Sequence, residues 1–154
     1  MKALIVEDEP RAQRALENLL KANFPEVDVI GRTASVKETV DWLAGNQPDV
    51  IFMDVELADG TCFDIFAQTP VNAQVVMTTA YDNYAVKAFE VNSVDYLLKP
   101  VDIEDLRRAV SRVSQRITTG GPHIDFDAVR EAFRPREKFL IRLNDRIVPV
   151  SVRD

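Results

Sequence analysis

A single cysteine, Cys62, stands in the 154 residues, so no internal disulfide can form and no cysteine metal cluster can be built. Cys62 is read as a small, buried apolar residue. Long apolar runs are missing too: none approaches the ~18 residues that span a bilayer. The opening "MKALIVEDEP" turns acidic too early for a signal peptide, and a cytoplasmic location is the expectation. A general basic surface is also lacking. The net charge of -6 argues against nucleic-acid binding by the whole surface, which needs a basic footprint. The lone histidine, His123, falls in a linker without a partner motif and is assigned no role. No internal repeat or low-complexity tract is evident.

The charge is unevenly spread. Five basic residues (Arg136, Lys138, Arg142, Arg146, Arg153) face three acidic ones (Glu137, Asp145, Asp154) between 136 and 154, a balance of +2, which leaves -8 on the first 135 residues. That asymmetry suggests two segments with different jobs.

Short apolar runs recur along the chain: "ALIV" at 3–6, "VIFM" at 50–53, "VVM" at 75–77 and "YLL" at 96–98. Continuous rather than alternating apolarity predicts strands covered on both faces, as in a parallel sheet. "VDVIGR" at 27–32 partly alternates and reads as an edge strand. Helical patterns lie between the strands. The first opens at Pro10 with Ala12, Ala15, Leu16, Leu19 and Leu20 on one face. Ser35 and Glu38 make a capping box for the second, which stops at Gly45 and carries Trp42 as a packing residue. A third runs over 63–68 and a fourth over 83–92. The fifth, N-capped by Asp102, sets Ile103, Leu106, Val110, Val113 and Ile117 on one stripe.

Strict alternation of strand and helix predicts a (βα)5 doubly wound α/β domain over 1–117. The texture then changes. "TTGGPH" begins a linker over 118–135, in which "DFDAVREAF" could make two helical turns. "KFLIRLNDRIVPV", within 136–154, reads as two short strands, a hairpin too small to stand alone in water.

Ligand sites of open α/β sheets lie outside the carboxyl ends of the strands. Those positions hold Glu7 and Asp8, Asp54, Thr78 to Ala80, and Lys99 before Pro100. Asp54 stands at the end of an oily run, where an unpartnered carboxylate would be costly. Three converging carboxylates call for a hard divalent cation, and Mg2+ suits a few carboxylates plus waters. With Lys99 opposite and the Thr79 hydroxyl nearby, the site would place a tetrahedral anion against Asp54, as a carboxylate nucleophile accepting a phosphoryl group requires. Taken singly, Asp8 reads better as a cap for the helix opening at Pro10. The constellation is far more specific than its parts.

These residues resemble the receiver domains of two-component response regulators, through "LIVEDEP", "IFMDVELADG", "VVMTTAY" and "DYLLKP" over about residues 2–117. The resemblance implies the flavodoxin-like strand order 2-1-3-4-5, Asp54 as phosphoacceptor for a sensor histidine kinase, and Mg2+ as cofactor. Asp8 and Asp54 would bind the ion directly, Glu7 through water, and the backbone carbonyl of Glu56 would complete the protein ligands. Thr79, Lys99 and the Ala80 amide would hold phosphoryl oxygens, and a cis Lys99–Pro100 bond would aim the lysine inward. Phosphorylation would draw Thr79 in, Tyr96 would follow, and the face made by the 83–92 helix, the 96–98 strand and the 103–117 helix would repack, favouring a homodimer. Glu56 and Tyr81 occupy positions that tune dephosphorylation, and the bulk of Tyr81 is expected to hinder the hydrolytic water. Many receivers carry proline where Ala58 stands, so a less rigid loop is expected after Asp54.

"FEVNSVDYLLKPVD" and "KFLIRLNDRIVPVSVRD" look like a LytTR-type regulator, whose receiver is followed by a β-rich DNA-binding domain. Only the first strands of that domain would be present, so DNA binding is expected of the full-length protein alone, and no membrane partner is expected. Two rivals remain in view. A haloacid-dehalogenase-like phosphatase also uses an aspartate nucleophile and Mg2+, but its general acid should be followed at once by Gly-Thr, whereas Glu56 is separated from Gly60. A stand-alone receiver that signals by dimerising is the other. A dinucleotide site is excluded, because "EDEP" has no glycine to admit a pyrophosphate.

Overall fold

The computed structural model describes residues 1–80 and 95–119. Its elements, in chain order, are β1 (Lys2–Val6), α1 (Pro10–Asn23), β2 (Asp28–Thr33), α2 (Val36–Leu43), β3 (Val50–Asp54), β4 (Glu56–Leu57), β5 (Gly60–Thr61), α3 (Cys62–Gln68), β6 (Gln74–Thr79), β7 (Asp95–Leu98) and α4 (Ile103–Thr119). The main sheet is parallel, in the order β2-β1-β3-β6-β7. Leaving aside the small β4-β5 hairpin, that is the expected order 2-1-3-4-5.

Continuous apolar runs became central strands because both sheet faces are covered. Ile51 and Met53 of β3 face α2 and α3, joining Leu4, Val6, Val36, Cys62, Phe63, Ile65 and Met77 in one core. Val50 and Phe52 face the other way and pack with Ala3, Ile5, Leu16, Leu20, Val76, Leu97, Leu106, Val110 and Val113 beneath α1 and α4. Period-2 alternation therefore sorts one oily strand into two cores.

The edge strand β2 carries an irregularity. Ala3 pairs with Val29 and Leu4 with Gly31, so Ile30 is skipped in the register and is left partly exposed. Gly31 makes room for Trp42: a Cβ there would lie 2.6 Å from the indole ring. Trp42 is thus a packing residue, as expected.

Several local expectations are corrected. Ala15 is exposed on α1, and its place on the inner surface is taken by Glu17, which is buried because Arg32 and Lys21 pair with it. Ile117 is 43% exposed, because the last turn of α4 runs past the core it was expected to cover. That helix continues to Thr119, taking in the first two residues of the expected linker. Ser35 does cap α2 by accepting the Glu38 N–H at 3.0 Å, but the Glu38 carboxylate reaches the Ala34 N–H at 2.7 Å instead of closing the box on Ser35. The 83–92 helix, most of the 118–135 linker and the 136–154 hairpin lie outside the described residues.

Candidate functional site

Four strand ends converge at the carboxyl edge of the sheet. At the end of β1, the Glu7 N–H bonds the Thr33 carbonyl at 3.0 Å and its side chain turns inward, 5% exposed. Asp8 remains exposed. It does not cap α1. That role falls to Glu9, whose Oε1 accepts the N–H groups of Arg11 at 2.7 Å and Ala12 at 3.1 Å. Asp8 is thereby left available to the site, and the capping role assigned to it singly is corrected. The signal missed was Glu9 immediately ahead of a proline at the first helical position.

Asp54 ends β3, opposite Thr78 of β6, and is 8% exposed. Its Oδ1 accepts the Glu56 N–H at 3.3 Å, and its Oδ2 accepts Lys99 Nζ at 2.9 Å. Lys99 Nζ lies equally close, 2.9 Å, to Glu7 Oε1. The Lys99–Pro100 peptide is cis, as expected, and the Lys99 N–H bonds the Thr79 carbonyl at 2.8 Å. Thr79 is buried at the end of β6, and Ala80 follows it exposed. One carboxylate oxygen each from Glu7, Asp8 and Asp54 lies within 4.8 Å of the others.

Charge balance explains why these groups tolerate one another. Burial works against the Lys99 ammonium, but its hydrogen bonds to Asp54 and Glu7 more than offset that and hold its pKa above the ordinary value. Burial pushes the Glu7 carboxyl up; Lys99 draws it back and the Asp54 charge raises it again, with a net rise. One ammonium, paired with Glu7 and Asp54, stands among three carboxylates, so the site keeps a deficit of positive charge. An all-oxygen donor set with that deficit fits a hard divalent cation.

Neighbouring residues complete the picture. Burial, with the Asp54 charge adding to it, pushes the Cys62 thiol up, which keeps it an inert apolar residue as expected. Tyr96 of β7 is half-buried, and the Arg108 guanidinium stands 5.8 Å from its ring centroid. The Glu56 side chain is exposed, and its backbone lies in the short β4-β5 hairpin, where Glu56 pairs with Thr61 and Leu57 with Gly60. No alternation long enough to signal a strand marks "VELADGT". Tyr81 lies outside the described residues.

Comparison with known proteins agrees with this geometry. Residues 3–111 match the response regulator receiver domain, and the chain belongs to that family. Relatives named LytR and LytT are among the proteins it is similar to. The sensory transduction protein LytT of Enterococcus faecalis is 32% identical over 157 aligned residues, covering 100% of this chain and 63% of LytT. The transcriptional regulatory protein LytR of Staphylococcus aureus is 40% identical over 118 residues, 73% of this chain and 47% of LytR. The chain therefore spans about half to just under two thirds of the length of these relatives. Among solved structures, the response regulatory domain of protein mrkE from Klebsiella pneumoniae superposes with a TM-score of 0.65 at 26% identity, covering 77% of this chain and 98% of that one. Receiver domains are signalling domains and not enzymes by family, which sets aside the phosphatase alternative. They bind Mg2+ at an acidic pocket and interact with sensor kinases. No helix among the described residues is long and apolar enough to cross a membrane.

Proposed function

We propose that this chain is the phosphoryl-accepting part of a transcriptional response regulator, with Asp54 as acceptor. The observation that carries the reading is Lys99 Nζ at 2.9 Å from both Asp54 and Glu7, beside an exposed Asp8. A carboxylate oxygen of Asp54 attacks the phosphorus of a phosphohistidine in line; the P–N bond breaks and the leaving imidazole nitrogen keeps the electron pair. Lys99 stays charged throughout and moves from its carboxylate partners toward the phosphoryl oxygens, with Thr79 and the Ala80 amide as further donors. Asp8, Asp54, the Glu56 carbonyl and, through water, Glu7 would hold Mg2+, which when bound would supply charge neutralisation at the transferring group.

The acyl phosphate replaces the single negative charge of the Asp54 carboxylate with a phosphoryl group carrying about -1.5 to -2, draws Thr79 inward and lets Tyr96 follow, shifting a pre-existing equilibrium. The repacked surface beside β7 and α4 supports a homodimer. Residues 118–135 serve as linker, and 136–154 begin a LytTR-type DNA-binding domain whose full length is needed for DNA. This support comes from the LytT relative, which aligns with the whole chain. Such a regulator works in the cytoplasm.

Intact mass after incubation with acetyl phosphate and Mg2+ tests the acceptor. Wild type is expected to gain one phosphoryl group and Asp54→Ala none; labelling that survives in the variant overturns the assignment. Turnover of p-nitrophenyl phosphate by the wild type would revive the phosphatase reading.

A further inference from the structure

Ala58 stands where a proline would fix the backbone, yet the loop after Asp54 is tied down at several points. At its base, the Val55 N–H bonds the Thr78 carbonyl at 3.1 Å, and the Cys62 N–H returns to the Val55 carbonyl at 2.9 Å. Between these anchors the chain makes the β4-β5 hairpin, whose turn is Ala58 and Asp59. Gly60 adopts φ 153°, and a Cβ there would lie 2.5 Å from the Asp64 carboxylate, which accepts the Thr61 N–H at 2.9 Å. The tip is held from outside. Asp59 Oδ1 accepts the Val36 N–H at 2.7 Å and Oδ2 accepts the Lys37 N–H at 3.1 Å, so one carboxylate satisfies the first two N–H groups of α2.

We infer that Asp59 is a positioning residue for metal binding, clamping the hairpin tip to α2 so that the Glu56 carbonyl stays where the ion needs it. The inference rests on the reading of the site proposed above. Two-residue strands pair too briefly to be rigid by themselves. The clamp therefore does what proline would do elsewhere in this loop, and Glu56 lies between the clamped tip and the anchored Val55. Capping α2 is not its whole purpose: Ser35 and Glu38 already serve that helix from its own sequence. The Val36 N–H, with the Lys37 N–H beside it, holds the Asp59 carboxyl below its ordinary pKa.

The test compares Mg2+ affinity by calorimetry, and labelling by acetyl phosphate at low and saturating Mg2+, in the whole chain. Asp59→Ala is expected to weaken Mg2+ about tenfold, the lower end of the loss from removing an outer partner of a metal site. Its labelling should be slow at low Mg2+ and restored at saturation. Asp59→Asn, which keeps one acceptor oxygen, should fall between. Ser35→Ala removes a cap from the same helix without touching the loop and should keep wild-type affinity. Unchanged affinity in Asp59→Ala, or an equal loss in Ser35→Ala, overturns the inference alone. A wild-type chain that takes up no Mg2+ overturns the reading of the site and this inference with it.

Discussion

Charged residues in this chain are held by partners that sequence spacing reveals only in part. Glu7, Asp54, Thr79 and Lys99 were legible because each follows an apolar run, and the end of a buried strand is where an open α/β sheet places its chemistry. Glu17 was not. It sits where an amphipathic helix should be apolar, and what permits it is Arg32, fifteen residues away on β2, whose Nε lies 2.5 Å from Glu17 Oε1 while a second guanidinium nitrogen meets Oε2. Hydrogen bonding to Arg32, against the opposing effect of burial, holds the Glu17 carboxyl at about 2 instead of 4.5. A depressed folded-state pKa stabilises above the ordinary carboxylate range and is lost as pH falls from about 4.5 toward 2. Arg32 and Lys21 are 41% and 66% exposed, so solvent screening limits the contribution to about 1 kcal/mol. Glu17→Gln should lower the urea midpoint at pH 7, with the gap to wild type narrowing below about pH 4.5. A gap that stays constant from pH 7 to pH 3 would contradict this account.

Elements were easier to place than their ends and attachments. Strands β1, β3, β6 and β7 were readable as runs of apolar residues, whereas the β4-β5 hairpin has two residues a side and leaves no periodic trace. Asp102 was legible as the cap of α4 because its contacts are local: Oδ2 accepts the N–H groups of Glu104 at 2.9 Å and Asp105 at 3.3 Å. Asp59 caps α2 from 22 to 23 residues away, a relation that exists only once β3 lies between β1 and β6.

The join between β7 and α4 depends on Asp95, 2% exposed, which receives Arg116 at 2.8 Å and Arg112 at 3.4 Å. Burial pushes its carboxyl up even though both guanidinium groups pull it down, so the ionised form is a net cost to folding near neutrality. Asp95→Asn keeps the shape and one acceptor and should change stability by less than about 1 kcal/mol. Asp95→Ala leaves both arginines without their acceptor and should cost about 2 kcal/mol. Urea denaturation of the two variants decides the matter: equal losses would mean that the charge, and not the acceptor, holds the helix to the strand.

For the whole molecule, the question is whether the receiver needs the residues beyond α4 in order to fold and be labelled. The two cores close on both sides of the sheet using residues up to Val113. Residues 136–154 carry +2 against -8 on residues 1–135, and the hairpin expected there from the sequence would be marginal in water by itself. On the domain division proposed above, the tail is a packing unit separate from the receiver. Ending the chain at Thr119 should then shift the melting temperature by less than about 4 °C, the effect of ~1 kcal/mol in a domain of this size. The stoichiometry of labelling by acetyl phosphate should be unchanged. A larger drop, or lost labelling, would show that the tail packs on the receiver and belongs to its fold. Equal melting and labelling would instead confine communication between the segments to the linker and to the surface that Tyr96 and Arg108 share, where a change at Asp54 is expected to emerge.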